Sequence, residues 1–126
     1  MYTDLLARIK NAERAKKEAF TAPYSKMDFA VAQALVHANY LKSADKKIIA
    51  KKNFIEVKLK HGDDGPAVTD FKIISKRSRR IYIGWREIRP VRGGFGVSMI
   101  STPSGVMSGR KARKEKLGGE YLFEIW

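Results

Sequence analysis

Cysteine is absent from the 126 residues, and histidine occurs only at His37 and His61. Without thiols there can be no disulfide, thiolate nucleophile or cysteine-ligated zinc, and two isolated imidazoles do not make a metal site. Long apolar runs are missing too. The most hydrophobic stretch, "FAVAQALVHANYL", carries polar residues and falls short of the roughly 18 to 20 needed to cross a bilayer, and no signal-peptide pattern opens the chain. The expected location is cytoplasmic, with no membrane partner. Acidic residues are scarce, 13 against 26 Lys and Arg, for a formal net charge of +13. Such a field gathers polyanions, so nucleic acid is the expected partner.

Enzyme signatures are missing as well. "GGFGV" lacks the third glycine and the helical run of a dinucleotide-binding turn, and neither a G-x-x-x-x-G-K-[ST] loop nor a G-x-S-x-G elbow occurs. Asp63 and Asp64 adjoin, but their flanking glycines read as a turn. Glu120 stands alone among cations and makes a poor general acid. The expectation is a protein without catalysis, metal or cofactor.

Hydrophobic residues make up 44% of the chain, enough for a core, and its length suits one small domain or two very small ones. The basic residues are unevenly divided. Residues 1–76 hold 15 basic and 9 acidic side chains, and residues 77–126 hold 11 and 4. Only Arg8 and Arg14 are arginines in the first part, against eight in the second. Arginine's planar fork pairs with phosphate and stacks on bases, while lysine is a hydrated point charge. The C-terminal part is the one built for contact.

Periodicity predicts the elements. Leu5, Ile9 and Ala12 repeat at helical spacing, with Thr3 as N-cap and Asp4 in the first turn. A short extended piece runs to Pro23. Ser25 and Asp28 form a capping box for a second helix with two apolar stripes, Met27, Val31, Leu35, Ala38 and Phe29, Ala32, Val36, in which His37 reads as a structural histidine. From "KKIIAKK" the period becomes two: Ile55, Val57 and Leu59 alternate with polar residues, "HGDDG" turns, and "AVTDFKIIS" returns as the next strand. After the charged break "SKRSRR" come strands at "RIYI", "GVSMIS" and "EYLFEIW", and a short helix capped by Ser108 and stopped at Gly118–Gly119. The expected fold is α+β: an N-terminal domain, 1–76, of two helices on a three-stranded sheet, and a C-terminal domain, 77–126, mostly β with a short helix.

Between two of those strands lies "STPSGVMSGRKARKEKLGGE". Ser101, Thr102, Ser104 and Gly105 offer hydroxyls and backbone N–H groups without bulk, and Gly118 and Gly119 allow a second close approach. Cations at 110, 111, 113, 114 and 116 surround them, and Arg79, Arg80, Arg110 and Arg113 are the expected phosphate contacts. Small donors in a cationic frame suit an irregular RNA groove read by shape and 2′-hydroxyls. DNA fits less well, since no helix-turn-helix or basic-region helix is evident.

This stretch closely resembles the end of the bacterial-type small-subunit ribosomal protein S8 family, whose pattern runs Ser-Thr-Ser-x-Gly-Val-Met, Ala-Arg, then Gly-Gly-Glu before a final strand. The likeness extends through "RRIYIGWREIRPVRGGFGV", "APYSK" and "TDLLARIKNA", essentially the whole chain. It implies direct binding to the central domain of 16S ribosomal RNA, a part in small-subunit assembly, and contact with neighbouring small-subunit proteins. Its main RNA contacts correspond to Ser101, Thr102, Ser104, Gly105, Gly118, Gly119 and Glu120, with support from Tyr82 and Lys26. It also permits a second occupation, repression of translation by binding the protein's own operon messenger RNA through the same surface. Pro103 replaces the family's usual third serine, removing a hydroxyl and an N–H, and Phe123 stands where cysteine is frequent, read as a core change.

Overall fold

Leu5, Leu6, Ile9 and Ala12 lie buried along one face of α1 (Tyr2–Arg14) in the computed structural model, which describes residues 2–62, 65–66, 68–76 and 78–126. The helix starts at Tyr2, so Thr3 falls inside its first turn instead of capping it, and Asp4 pairs with Arg8 one turn on, at 3.1 Å. α2 (Lys26–His37) begins as its capping box predicts: Ser25 Oγ accepts from the Asp28 N–H at 3.1 Å. Val31, Ala32, Ala34 and Leu35 form its buried face, while His37, read as a structural histidine, is exposed at the end of the helix.

The chain divides into two compact units, Met1–Thr69 and Asp70–Trp126. In the first, α1 and α2 lie on an antiparallel sheet ordered β1 (Ala19–Pro23), β3 (Lys52–Leu59), β2 (Leu41–Ile49). Ala22, Ala44, Ile55, Val57 and Leu59 supply its buried face, and Gln33 Nε2 donates to the Ala44 carbonyl at 2.6 Å, tying α2 to β2. A two-residue ladder, β4 (His61–Gly62) with β5 (Gly65–Pro66), brackets the turn read at Asp63–Asp64, which itself lies outside the described residues.

In the second unit β10 (Gly119–Ile125) is flanked on both edges. One edge takes β8 (Val97–Thr102), which pairs onward with β9 (Gly105–Ser108). The other takes β6 (Phe71–Ile73) against Ile125–Phe123 and β7 (Tyr82–Ile83) against Glu120–Gly119. β6 was expected to return against the Ile55–Leu59 strand. That strand already has β1 on one side and β2 on the other, so β6 pairs with β10. The unit boundary accordingly precedes β6, and "SKRSRR" turns within the second unit: Lys76 and Arg79 exchange backbone hydrogen bonds at 3.0 Å, and Ser75 Oγ accepts from the Ile81 N–H at 2.8 Å. A bulge at Leu122 frees its carbonyl to accept from both Ile74 and Ser75 N–H groups, at 3.1 and 3.3 Å. Phe123 is fully buried, as a core residue should be. Among the described residues no helix is long and apolar enough to cross a membrane.

The three α-helices among the described residues end by one device. A left-handed residue, Lys16 (φ 55), Asn39 (φ 67) or Lys116 (φ 58), lets the next N–H reach back across the last turn: Lys17 to Ala12 at 3.0 Å, Tyr40 to Leu35 at 3.0 Å, Leu117 to Ala112 at 2.8 Å. α3 (Gly109–Lys114) is thus closed off by the left-handed Lys116, before the glycine pair expected to stop it. Two of these positions hold a lysine where glycine would carry no Cβ penalty. Lys16→Gly should therefore raise stability by about 0.5 to 1 kcal/mol, and Lys16→Val lower it, both read from thermal or urea unfolding.

Tyr121 carries a second prediction. Burial, and then its hydrogen bond to Glu124 Oε2 at 2.6 Å, push the phenol well above its ordinary range. The folded state then holds a proton that the unfolded chain gives up near pH 10. Stability should fall as pH rises past about 10, and Tyr121→Phe should flatten that part of the unfolding profile.

Candidate nucleic-acid interface

Residues directly opposite in antiparallel strands share a face, and successive residues alternate. The register sets Tyr82 opposite Glu120, Glu120 opposite Ser101, and Ser101 opposite Val106. Three of the expected contacts therefore form one row across β7, β10 and β8. Tyr82 is 69% exposed, so its ring is available for stacking. Arg80 Nη1 lies 3.2 and 3.3 Å from the two Glu120 carboxylate oxygens. Glu120 thus holds Arg80, and neither Lys116 nor Arg113 is its partner among the described residues.

Beside the row the β8–β9 hairpin turns through Pro103 and Ser104. A two-residue hairpin turn normally requires positive φ at its first or at both central residues, which proline forbids. The left-handed residue is Gly105 instead, at φ 119 with open space around it. Thr102 organises this turn. Its hydroxyl donates to the Gly105 carbonyl at 2.8 Å and accepts from the Ser104 N–H at 3.1 Å, and the residue is 8% exposed. Expected as a donor to the ligand, Thr102 has that donor engaged internally, which leaves the exposed Ser104 and half-buried Ser101 to present hydroxyls.

Gly118 and Gly119 have an internal reason for lacking side chains. A Cβ on Gly119 would collide with the Ser101 carbonyl and lie 3.1 Å from Thr102 Cα; one on Gly118 would lie 2.5 Å from the Ile83 carbonyl and 3.0 Å from Gly84 Cα. The pair lets β10 press against β8 and the end of β7, which fixes the row.

The remaining expected cations do not join the row. α3 begins with Ser108 Oγ accepting from the Lys111 N–H at 3.3 Å, and its Ala112 packs with Ile88, Ile100 and Met107. Ile100 alternates with Ser101 along β8, so α3 lies on the sheet face opposite the row. Arg110 and Arg113 are both exposed there, with one Arg113 guanidinium nitrogen donating to the Ile88 carbonyl at 2.6 Å. Arg79 is exposed in the 76–79 turn. Lys26 belongs to the first unit, exposed at the start of α2. Sequence reasoning overlooked Ser75 and Trp85. Ser75 secures the chain leading into β7, and Trp85 lies under the Arg86 and Lys116 cations at 5.1 and 6.0 Å.

A family model described as Ribosomal protein S8 matches residues 1–126. The chain belongs to the ribosomal protein S8 family. Curated S8-family relatives named small ribosomal subunit protein uS8 include those of Caldicellulosiruptor bescii, 42% identical, and Acidobacterium capsulatum, 39% identical, each alignment covering 98% of this chain and 94% of the relative. That of Koribacter versatilis is 40% identical over 98% of this chain and 93% of its own length. These are structural proteins of the ribosome, and the S8 family is not an enzyme family.

For this S8-family turn, Thr102→Val should strand the Ser104 N–H and the Gly105 carbonyl. It should cost about 1 to 2 kcal/mol in unfolding experiments before any ligand is added, whereas Ser104→Ala should leave stability within about 0.5 kcal/mol.

Proposed function

We propose that the chain is a structural constituent of the small ribosomal subunit that binds the central domain of 16S ribosomal RNA directly and helps the subunit assemble. The observation that carries this reading is the row Tyr82, Glu120, Ser101 beside the Thr102–Gly105 turn. It combines an exposed ring, small hydroxyls, open backbone at a left-handed glycine and an arginine held in place by a carboxylate. Such a surface suits an irregular RNA helix with an accessible groove, where a regular duplex offers neither an unstacked base nor a widened edge. Arg79 and Arg80 supply phosphate attraction next to the row, and Arg110 and Arg113 supply it from the opposite face of the sheet. Relatives sharing 39 to 42% identity over nearly their whole length carry the name of a small-subunit protein, which supports the same assignment. Contact with neighbouring subunit proteins follows from that placement.

Binding across a salt series, with a central-domain RNA fragment and a scrambled duplex of equal length, tests it. Arg79→Ala and Arg110→Ala should weaken both ligands and lower the log K against log salt slope by up to about one unit each. Ser104→Ala should cost on the order of 1 to 3 kcal/mol for the fragment alone, with the slope unmoved. Glu120→Gln should release Arg80, so the preference for the fragment shrinks while duplex binding holds or rises. Equal affinity of the unaltered protein for both ligands at physiological salt refutes the reading.

A further inference from the structure

The first unit carries a feature that the row and the Thr102–Gly105 turn do not use. β2 and β3 stay in register to their last pair, Ile49 opposite Lys52, but the buried part of β2 ends at Ala44. From Asp45 to Ile49 every residue of β2 is exposed. Ile48 is 72% exposed and Ile49 48%. The connecting residues Ala50 and Lys51 both have positive φ, 50 and 65. A two-residue turn of this kind favours Asn-Gly; an alanine and a lysine held there are strained, and such strain persists only where the surrounding ladder enforces it. The result is a stiff tip with two isoleucines outward on alternate faces.

Its charge is of one sign. Residues 46–52 contain four lysines and no acid. Lys47 is paired with Glu56 at 2.6 Å, and Lys46 lies 4.8 Å from the Tyr24 ring centroid. Lys51 and Lys52, exposed at the turn, make no ion pair among the described residues.

We propose that this hairpin tip is a second RNA contact, made by the first unit, in which Lys51 and Lys52 take phosphates and Ile48 rests against the sugar and base edge of an unstacked nucleotide. The inference rests on the RNA-binding reading above and adds a separate surface to it. Lysine is depleted at protein interfaces but is a standard phosphate partner, so the lysine-rich rim favours RNA over a protein groove. Two isoleucines without Trp or Phe are a weak membrane anchor. Isoleucine is, however, among the side chains that nucleic-acid-binding proteins wedge against partly unstacked bases.

Two measurements decide it. The Lys51→Ala, Lys52→Ala double variant should bind the short central-domain fragment like the unaltered protein. For whole small-subunit RNA its affinity should fall about ten-fold at physiological salt, with the slope lowered by one to two units. A photo-crosslinking amino acid at position 48, in small subunits assembled with the full chain, should yield RNA adducts. If the unaltered protein binds both RNAs while the double variant matches it on whole RNA, or if position 48 crosslinks to a protein or to nothing, the hairpin contact is wrong and the row reading stands. If the unaltered protein binds neither RNA specifically, the row reading fails and takes this inference with it.

Discussion

The close approach of β10 to its neighbours at Gly119 is the constraint on which the candidate interface depends. Among the described residues β10 is the one strand that pairs with all of β6, β7 and β8, and it brings Glu120 level with Ser101 on one side and Tyr82 on the other. Any side chain at 119 would meet the Ser101 carbonyl. Widening the strands there would separate three polar groups that come from positions far apart in the chain. The bulge at Leu122 adjusts the same strand further on, keeping Leu122 and Phe123 buried, Phe123 opposite Met99 and Ile73, while Glu120 belongs to the row. Glycine and bulge together let one strand serve a dry core at one end and a wet surface at the other.

Periodicity made the helices, the Ile55–Leu59 strand and the strands around Ser101 and Glu120 legible, because each buries one face and the pattern records which. The capping signals at Ser25 and Ser108 were legible for the same local reason: each hydroxyl meets an N–H three residues on. Strand partners were not. A three-residue strand such as β6 carries no preference for one edge over another, and its place is set by which edges remain open, a property of the whole sheet. The end of α3 was misread because Lys116, instead of a glycine, adopts the left-handed conformation, and Lys16 likewise gives no compositional cue to the end of α1. The candidate site was legible as a set of residue types but not as roles. Thr102, Gly118 and Gly119 read as ligand-facing positions, and only the three-dimensional neighbours reveal how much of each is committed to building the surface.

The two units differ in the cation they use, and the proposed RNA-binding role gives that difference a reason. The arginine-rich unit places its guanidinium groups where planarity matters: Arg92 stacks 3.8 Å from the Trp126 ring centroid, Arg113 braces the Ile88 carbonyl, and Arg80 is oriented by Glu120. Each is a fixed donor array whose remaining N–H groups point in a defined direction. The lysine-rich unit offers mobile point charges, suited to attraction without a demanded geometry. A net charge of +13 assures encounter with any polyanion, so discrimination has to come from the positions where the surface is rigid.

Glu120 is where attraction and discrimination meet. A carboxylate among arginines weakens the general pull on phosphate, so charge density alone would select against it. Its structural return is orientation. One guanidinium nitrogen is engaged with the carboxylate, and the ion pair holds Arg80 beside a row whose other members, Tyr82 and Ser101, carry no charge. The carboxylate is 16% exposed and the arginine 50%, so the pair is screened from one side only. Exposed pairs of this kind contribute about 0 to 1 kcal/mol to folding, too little to explain placing an acid in a cationic surface for stability. Under the proposed RNA-binding reading, direction explains it better: an unrestrained arginine would follow the nearest phosphate on any RNA, whereas a tethered one rewards only a backbone that passes where the row can also be met.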